Sequence, residues 1–530
     1  MNIVLLSVII VCYLLIIGYL GFLGFSRTTS DKDYLIAGRS IHPFVMAMSY
    51  GATFISTSAI IGFGGIAGLF GMGLMWLTFS NILVGIFIAF VFFGKRTRKM
   101  GHNLDAHTFP EFLGKRFKSD FIQIFGGLII FLAMPLYSAV VLIGGARFIE
   151  NTLNVNYHIA LLVFSVIIAA YVIAGGLKGV MYTDALQGSI MFIDMSFLVN
   201  ITYVQLESIT GAQQALTAMA HLIQDSFQEV GHRGWTAMPA FNSQWWWTLF
   251  STLILGVGVG VLAQPQLIVR FMTVKSNREI NRAVLIGAVF IFVMVGGAYI
   301  VGSLSNAFFY THPATQGMLS IQAAEGNPDV VMPTYINAAM PSWFVYLFMV
   351  ALLSAAMSTL SSQFHAMGTA IGRDCFQKVF KTRINSIFIT RIGIIIAIMV
   401  SIILAYKLPP GIIARGTALF FGICAATFLP AYCAAVYWRR ASRRAAVKSI
   451  IAGFFASLFC LLFLHKKEAA ALGVCKFIFN KEILIESFPW PFVDPILIAL
   501  PFSTVVLIVA TYVSKPLPDK HVSNCFNGID

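Results

Sequence analysis

Five hydroxyl residues fall within nine positions of one apolar segment: Ser354, Ser358, Thr359, Ser361 and Ser362, in SAAMSTLSSQ at 354–363. Residues 343–353 before them are almost entirely apolar, so the segment heads into a membrane, where lipid offers no hydrogen-bond partner. The hydroxyls must face protein, water or an ion. At helical spacing Ser354, Ser358 and Ser362 recur at i+4, and Ser361 follows Ser358 at i+3, so these four share one face. Thr359 lies about 100° round from Ser358. Neutral oxygens on a buried face suit a hard monovalent cation better than a soft metal. Close helix packing through small residues is the competing explanation.

A second segment with unusual chemistry is MSYGATFISTSAIIGFGGIAG at 48–68. Its glycines and hydroxyl residues oppose a continuous helix, and a break would free backbone carbonyls. Broken helices at membrane depth are tolerated where they line a cavity, which in transporters holds ion and substrate; glycine-mediated packing is the alternative. LGVGVGVLAQPQLIVRF at 255–271, with alternating glycines and Pro265, predicts another bent or broken helix. Charged groups inside spans are costly unless used. Asp184 opens one span, and Asp194 lies about 15 Å further along it, where it must be paired or protonated. Arg415, in the outer third of its span, meets either an anionic substrate or the outer surface. Arg147 reads as an anchor, and His365 as a packing histidine rather than a proton relay.

The elements that position these groups are membrane spans. The chain has 530 residues, 58% of them hydrophobic and 11% charged, with a mean hydropathy of +0.84. That excludes a soluble domain. Apolar stretches of about 20 residues predict about thirteen spans, starting near positions 2, 44, 74, 121, 158, 180, 248, 283, 343, 386, 411, 449 and 495. With the N-terminus outside, 26 of the 35 Lys and Arg residues fall in cytoplasmic segments and 8 in outer ones. The orientation is therefore N-out, C-in, and this topology rather than nucleic acid explains the formal charge of +14. The first apolar stretch reads as a span, not a signal peptide. Seven cysteines without paired spacing argue against a disulfide framework or metal cluster. No GxxxxGK[ST] segment is present, which argues against an ATP-driven pump. No filter loop, output domain or nucleophile–base pair supports a channel, a sensor or an enzyme. The outer loop 206–245 carries Ile209, Leu216, Met219, Leu222, Ile223 and Phe227 at the spacing of an amphipathic helix, and Trp245–Trp247 reads as an interfacial belt.

Breaks in the second and seventh spans, five spans apart, match the inverted repeats of secondary transporters. With DYLIAGRS (33–40), the GATFIS break, GGLKGVMYTDALQ (175–187), QPQLIVRFM (264–272) and SAAMSTLSSQ, the chain resembles the sodium/solute symporter family, whose members carry proline, pantothenate, acetate, sugars and sialic acid. The resemblance implies an all-α polytopic membrane protein with a LeuT-like 5+5 inverted-repeat core. The implied division is 1–42 (leading helix and loop), 43–205 (first repeat), 206–245 (extracellular loop), 246–438 (second repeat), 439–513 (two further helices) and 514–530 (cytoplasmic tail). It implies a principal sodium site from Ala52, Ile55, Ala355, Ser358 and Thr359, and a possible second one from Asp184, Ser361 and Ser362.

Phe54 stands where proline carriers have an aspartate, and span seven offers Val257, Val259, Val261 and Leu262 where they have aromatics, so proline is disfavoured. The scarcity of polar groups there also disfavours a sugar, whose hydroxyls would lack partners. A small monocarboxylate with an apolar body fits better, with Phe54, Ser56, Thr57, Val257, Val261 and Arg415 as the substrate-binding candidates. The expected partners are this solute, Na⁺ as coupling ion and a lipid bilayer. No cofactor, other metal or nucleic acid is expected, and the location is the cell membrane (the inner one in a bacterium).

Overall fold

The computed structural model describes residues 3–26, 35–39, 41–174, 177–315, 317–380 and 386–529. Asp33, Tyr34 and Ser40 of DYLIAGRS and Gly175 and Gly176 of GGLKGVMYTDALQ lie outside the described residues, as do Arg27, Lys32, Lys381 and Arg383 among the basic residues that bear on orientation.

Regular structure among the described residues is helical; a lone bridge joins Ile41 to Val274. Eleven of these helices are long and apolar enough to cross a membrane. One of them, Ser58–Asn103, runs through the turn at Gly71, and Tyr157–Ala169 is apolar but shorter. Burial orders them. The span Ser342–Phe380, which carries the hydroxyl stripe, is 94% buried in its most apolar window, against 17% for Val4–Gly24. The hydroxyl helix is therefore central, and the N-terminal helix is peripheral.

Two helices are interrupted around this centre. Pro43–Phe54 ends at Ile55, whose backbone is extended (φ −89°, ψ 102°), and helical structure resumes at Ser58. The second helix stops at Ala263, and Gln264 is extended (φ −76°, ψ 115°) before Pro265–Phe271 begins. Pro265 explains that break: the residue before a proline is pushed out of the helical region. At the first break the Thr57 hydroxyl donates instead to the carbonyl of Val141, 2.6 Å away.

The glycines past the first break also serve packing. A Cβ on Gly302 would lie 1.9 Å from the Gly64 carbonyl oxygen, and one on Gly65 would lie 1.9 Å from that of Pro328. Break and close approach occur in the same segment. In the segment 206–245, Ile209–Ala218 is helical, and Leu216, Met219 and Ile223 pack with Trp235, Leu304 and Leu319. Ile209 stays exposed. Trp245 is half-buried against Phe70, with ring centres 4.5 Å apart.

Candidate functional site

The last carbonyls of a helix have no intrahelical donor, and the break leaves those of Ala52 and Thr53 facing the hydroxyl helix. Ser358 Oγ donates to the Ala52 oxygen at 2.9 Å, and Thr359 Oγ1 to those of Thr53 (3.2 Å) and Ala52 (3.4 Å). Ser358 also lies 3.2 Å from the Ala355 carbonyl. Ala52, Ile55, Ala355, Ser358 and Thr359 are all buried. Two hydroxyls and several carbonyls thus converge, without a charged side chain, where a hard cation could replace the hydroxyl protons as their shared partner. Ser354, one turn away, donates instead to Tyr13 Oη at 2.9 Å, and Tyr13 also accepts from Gln187 at 3.2 Å.

Asp184 and Ser362 are brought together around a third group, Arg270. Its Nη2 lies 3.0 Å from Asp184 Oδ2 and 2.6 Å from Ser362 Oγ, and it also donates to Thr53 Oγ1. Nε donates to Ser49 Oγ at 2.9 Å, and Ser49 donates to Asp184 Oδ2 at 2.7 Å. Both members of the ion pair are buried, with side chains 1% and 0% exposed. Ser361 makes no hydrogen bond to Arg270 or Asp184 among those seen and donates to the Ser358 carbonyl at 3.2 Å, which also accepts from Ser362 at 3.0 Å.

Beside the first break lies a small cavity. Phe54, Ile55, Phe63, Val257, Val295 and Phe421 form its apolar walls, and Ser56, Asn81, Tyr137, Tyr299 and Thr417 supply polar groups. Phe54 stacks on Phe421 at 6.3 Å, and Tyr137 Oη is 3.5 Å from Ser56 Oγ. Asn81 Oδ1 is buried without a hydrogen-bond partner among the described residues. Of the substrate-binding candidates, Phe54, Ser56 and Val257 line the cavity. Thr57 faces Val141, and Val261 packs near Gly85.

Arg415 pairs with Glu468, which also bonds His465. It lies about 200° round its helix from the cavity residue Thr417. Burial opposes ionisation of Glu468, but the His465 bond and the Arg415 charge hold its carboxyl down to about 2. Arg147 pairs with Glu150 at 2.7 Å. Asp194 is buried, with Oδ2 lacking a hydrogen-bond partner among the described residues. His365 lines a separate cavity with Arg270 and Asp374.

Sequence reasoning missed Arg270, Asn81, Tyr137, Tyr299, Thr417 and Phe421. By its place at the end of an apolar run, Arg270 falls among the 26 basic residues of the cytoplasmic segments. A signal existed in two cases: an arginine in the apolar run PQLIVRF, and a lone asparagine at the head of NILVGIFIAFVFF.

The solved structure of a Na⁺-coupled sialic acid symporter, in a substrate-bound outward-open state described as revealing a novel Na⁺ site, superimposes with a TM-score of 0.74. The alignment covers 96% of this chain and 98% of that one at 16% sequence identity, which shows a shared LeuT-like fold. The sodium/proline symporter of Escherichia coli (strain K12) is 27% identical over 82% of this chain and 83% of its own length. The sodium/pantothenate symporter of Haemophilus influenzae is 26% identical over 86% and 89%. Residues 34–453 match the pattern of the sodium:solute symporter family, and the chain belongs to that family of membrane transporters.

Proposed function

We propose that this chain is a sodium-coupled symporter that imports a small organic solute, a monocarboxylate-type anion with an apolar body, by alternating access across the cell membrane. The observation that carries the reading is the convergence of Ser358 and Thr359 on the Ala52 and Thr53 carbonyls. Sodium takes Ala52, Ile55, Ala355, Ser358 and Thr359. Because these groups come from two helices, the site exists only while the break packs on the hydroxyl helix. The ion therefore favours one of two states, which is what coupling requires. One sodium moving down 100 mV gains about 2.3 kcal/mol before its concentration gradient is counted.

Solute binds beside Ile55, which belongs to both the ion site and the cavity wall. Phe54, Phe63, Val257, Val295 and Phe421 take the apolar body, while Ser56, Asn81, Tyr137 and Tyr299 supply donors to the carboxylate. Their neutrality leaves the sodium, close by, to balance the anion's charge. Thr57 and Val261 act from behind the wall, and Arg415, held by Glu468, acts outside the cavity. In this reading thirteen spans run N-out to C-in. Repeats 43–205 and 246–438 form the core, flanked by 1–42, the outer loop 206–245, the two helices of 439–513 and the tail 514–530. Asp184, Ser361 and Ser362 form a second sodium site only in a state that Arg270 has left.

Uptake into proteoliposomes under an imposed sodium gradient, with acetate, pyruvate, lactate, pantothenate, proline and glucose, tests this. A monocarboxylate should accumulate only with inward sodium. Accumulation driven equally by a proton gradient alone would overturn sodium coupling, and preference for proline or glucose would overturn the solute class.

A further inference from the structure

We propose that the groove between the helices Ile413–Tyr437 and Ile496–Val513 binds one anionic glycerophospholipid, with its phosphate held by Arg440 and Arg96. Two facing stripes build the groove. Pro430, Cys433 and Ala434 come from the first helix and Thr504, Leu507 and Ile508 from the second, each set on a single helical face. Small side chains on adjacent turns leave a channel between the larger ones. It runs along the helix axes for about two turns, roughly 12 Å, the direction in which acyl chains lie in a bilayer. Ile508 is exposed and Thr504 half-buried, so the channel opens to lipid. The Thr504 hydroxyl donates to the Leu500 carbonyl of its own helix at 2.7 Å, which keeps the wall apolar.

Charge selects the occupant. Tyr437 and Trp438 close the channel where both helices end, and the Trp438 ring lies 5.9 Å from that of Tyr512. Two arginines cover this end. The Arg96 guanidinium lies 4.3 Å from the centre of the Tyr437 ring, and that of Arg440 lies 5.2 Å from the centre of the Tyr512 ring. Arg96 also donates to the Val436 carbonyl at 3.2 Å. Stacking fixes the planar forks beside the channel mouth and leaves N–H donors for phosphate oxygens. Arg439, Arg443 and Arg444 stand exposed behind them. Among the described residues no carboxylate forms an ion pair with Arg439, Arg440, Arg443 or Arg444. The bias of basic residues to one side of a membrane explains their number, but not that two lie on rings at the end of an apolar channel. Such a channel leading to an uncompensated basic cluster fits a molecule with a hydrocarbon tail and an anionic head. The helix Ile413–Tyr437 also carries Thr417 and Phe421 of the cavity wall, so the lipid braces that helix against Ile496–Val513.

The test is native mass spectrometry of the purified full-length protein in detergent, with phosphatidylglycerol and phosphatidylcholine of the same chain length added in equal amounts. Wild type should retain one phosphatidylglycerol per chain, preferred by roughly tenfold or more. Arg440→Gln should weaken its retention about fivefold, the worth of one arginine beside a phosphate. Thr504→Trp, which fills the channel, should abolish it; should that variant not fold, Ile508→Trp at the exposed rim decides in its place. Arg278→Gln, which removes an exposed arginine elsewhere, should change nothing. Equal retention of the two lipids would make the occupant an ordinary annular lipid and overturn the inference. Equal losses in Arg278→Gln and Arg440→Gln would overturn it in favour of diffuse attraction. A dimer that Thr504→Trp separates would overturn it by giving the groove to a second copy of the chain. None of these readouts involves sodium or solute, so they stand apart from the transport reading.

Discussion

Ser358 Oγ lies 2.9 Å from the carbonyl oxygen of Ala52, across 306 residues of sequence. The contact joins the hydroxyl helix to the interrupted end of Pro43–Phe54, so it closes only when these two helices pack together.

Removing these oxygens should weaken sodium before it weakens solute. A contact to a charged group contributes about 1.5–3 kcal/mol, or roughly tenfold or more in affinity. Ser358→Ala and Thr359→Ala should each raise the half-saturating sodium concentration by about that factor in uptake assays, with solute uptake retained at high sodium. Unchanged sodium dependence in both would remove these residues from the ion site.

Asn81 is buried in the cavity wall with Oδ1 unpartnered among the described residues, as a solute-contacting amide would be before its ligand arrives. Asn81→Leu keeps the volume and loses the polar contact. A neutral hydrogen bond is worth about 1 kcal/mol, so the solute KM should rise about fivefold while the half-saturating sodium concentration holds. A rise in the sodium requirement with no change in KM would refute the assignment.

The Arg415–His465–Glu468 cluster predicts acid sensitivity. Glu468 titrates near 2 when folded, below the ordinary carboxyl value of 4.5, so its pairing stabilises the protein above about pH 4.5 and is lost as pH falls toward 2. Thermal unfolding in detergent should show wild type losing stability across that window. Glu468→Gln should start less stable and lose less over the same range. Arg415→Met should behave like Glu468→Gln and leave the solute KM unchanged; a large KM increase would bring Arg415 into the cavity after all.

Close packing behind the first break predicts a contrast between two glycines of one helical segment. An alanine at 302 places Cβ 1.9 Å from the Gly64 oxygen, whereas one at 296 meets Thr78 Cγ2 at 3.5 Å. Overpacking costs about 1–3 kcal/mol, and alanine gains up to about 1 kcal/mol in helix propensity. Gly302→Ala should therefore lower the melting temperature, and Gly296→Ala should hold or raise it. Equal effects would refute the close approach.

Features that depend on local composition are legible in the sequence: a polytopic helical membrane protein, a hydroxyl face on one helix, and interruptions near Ile55 and Gln264. Glycine, proline and hydroxyl residues act on their own backbone within a turn, so their consequences can be read without knowing what lies opposite. Resemblance to the sodium/solute symporters joined the hydroxyl face to the first break. Which distant groups meet is fixed by packing between helices. Arg270 counts in sequence as a charge at the membrane's inner edge, yet the break at Gln264 directs it inward onto Asp184, 86 residues away. Arg415 is near the cavity in sequence depth, yet its helical phase aims it at Glu468, and Asn81 becomes a wall residue through packing across helices. The depth and partner of a buried charge are set by helix phase and by neighbours from other parts of the chain, and local spacing carries neither.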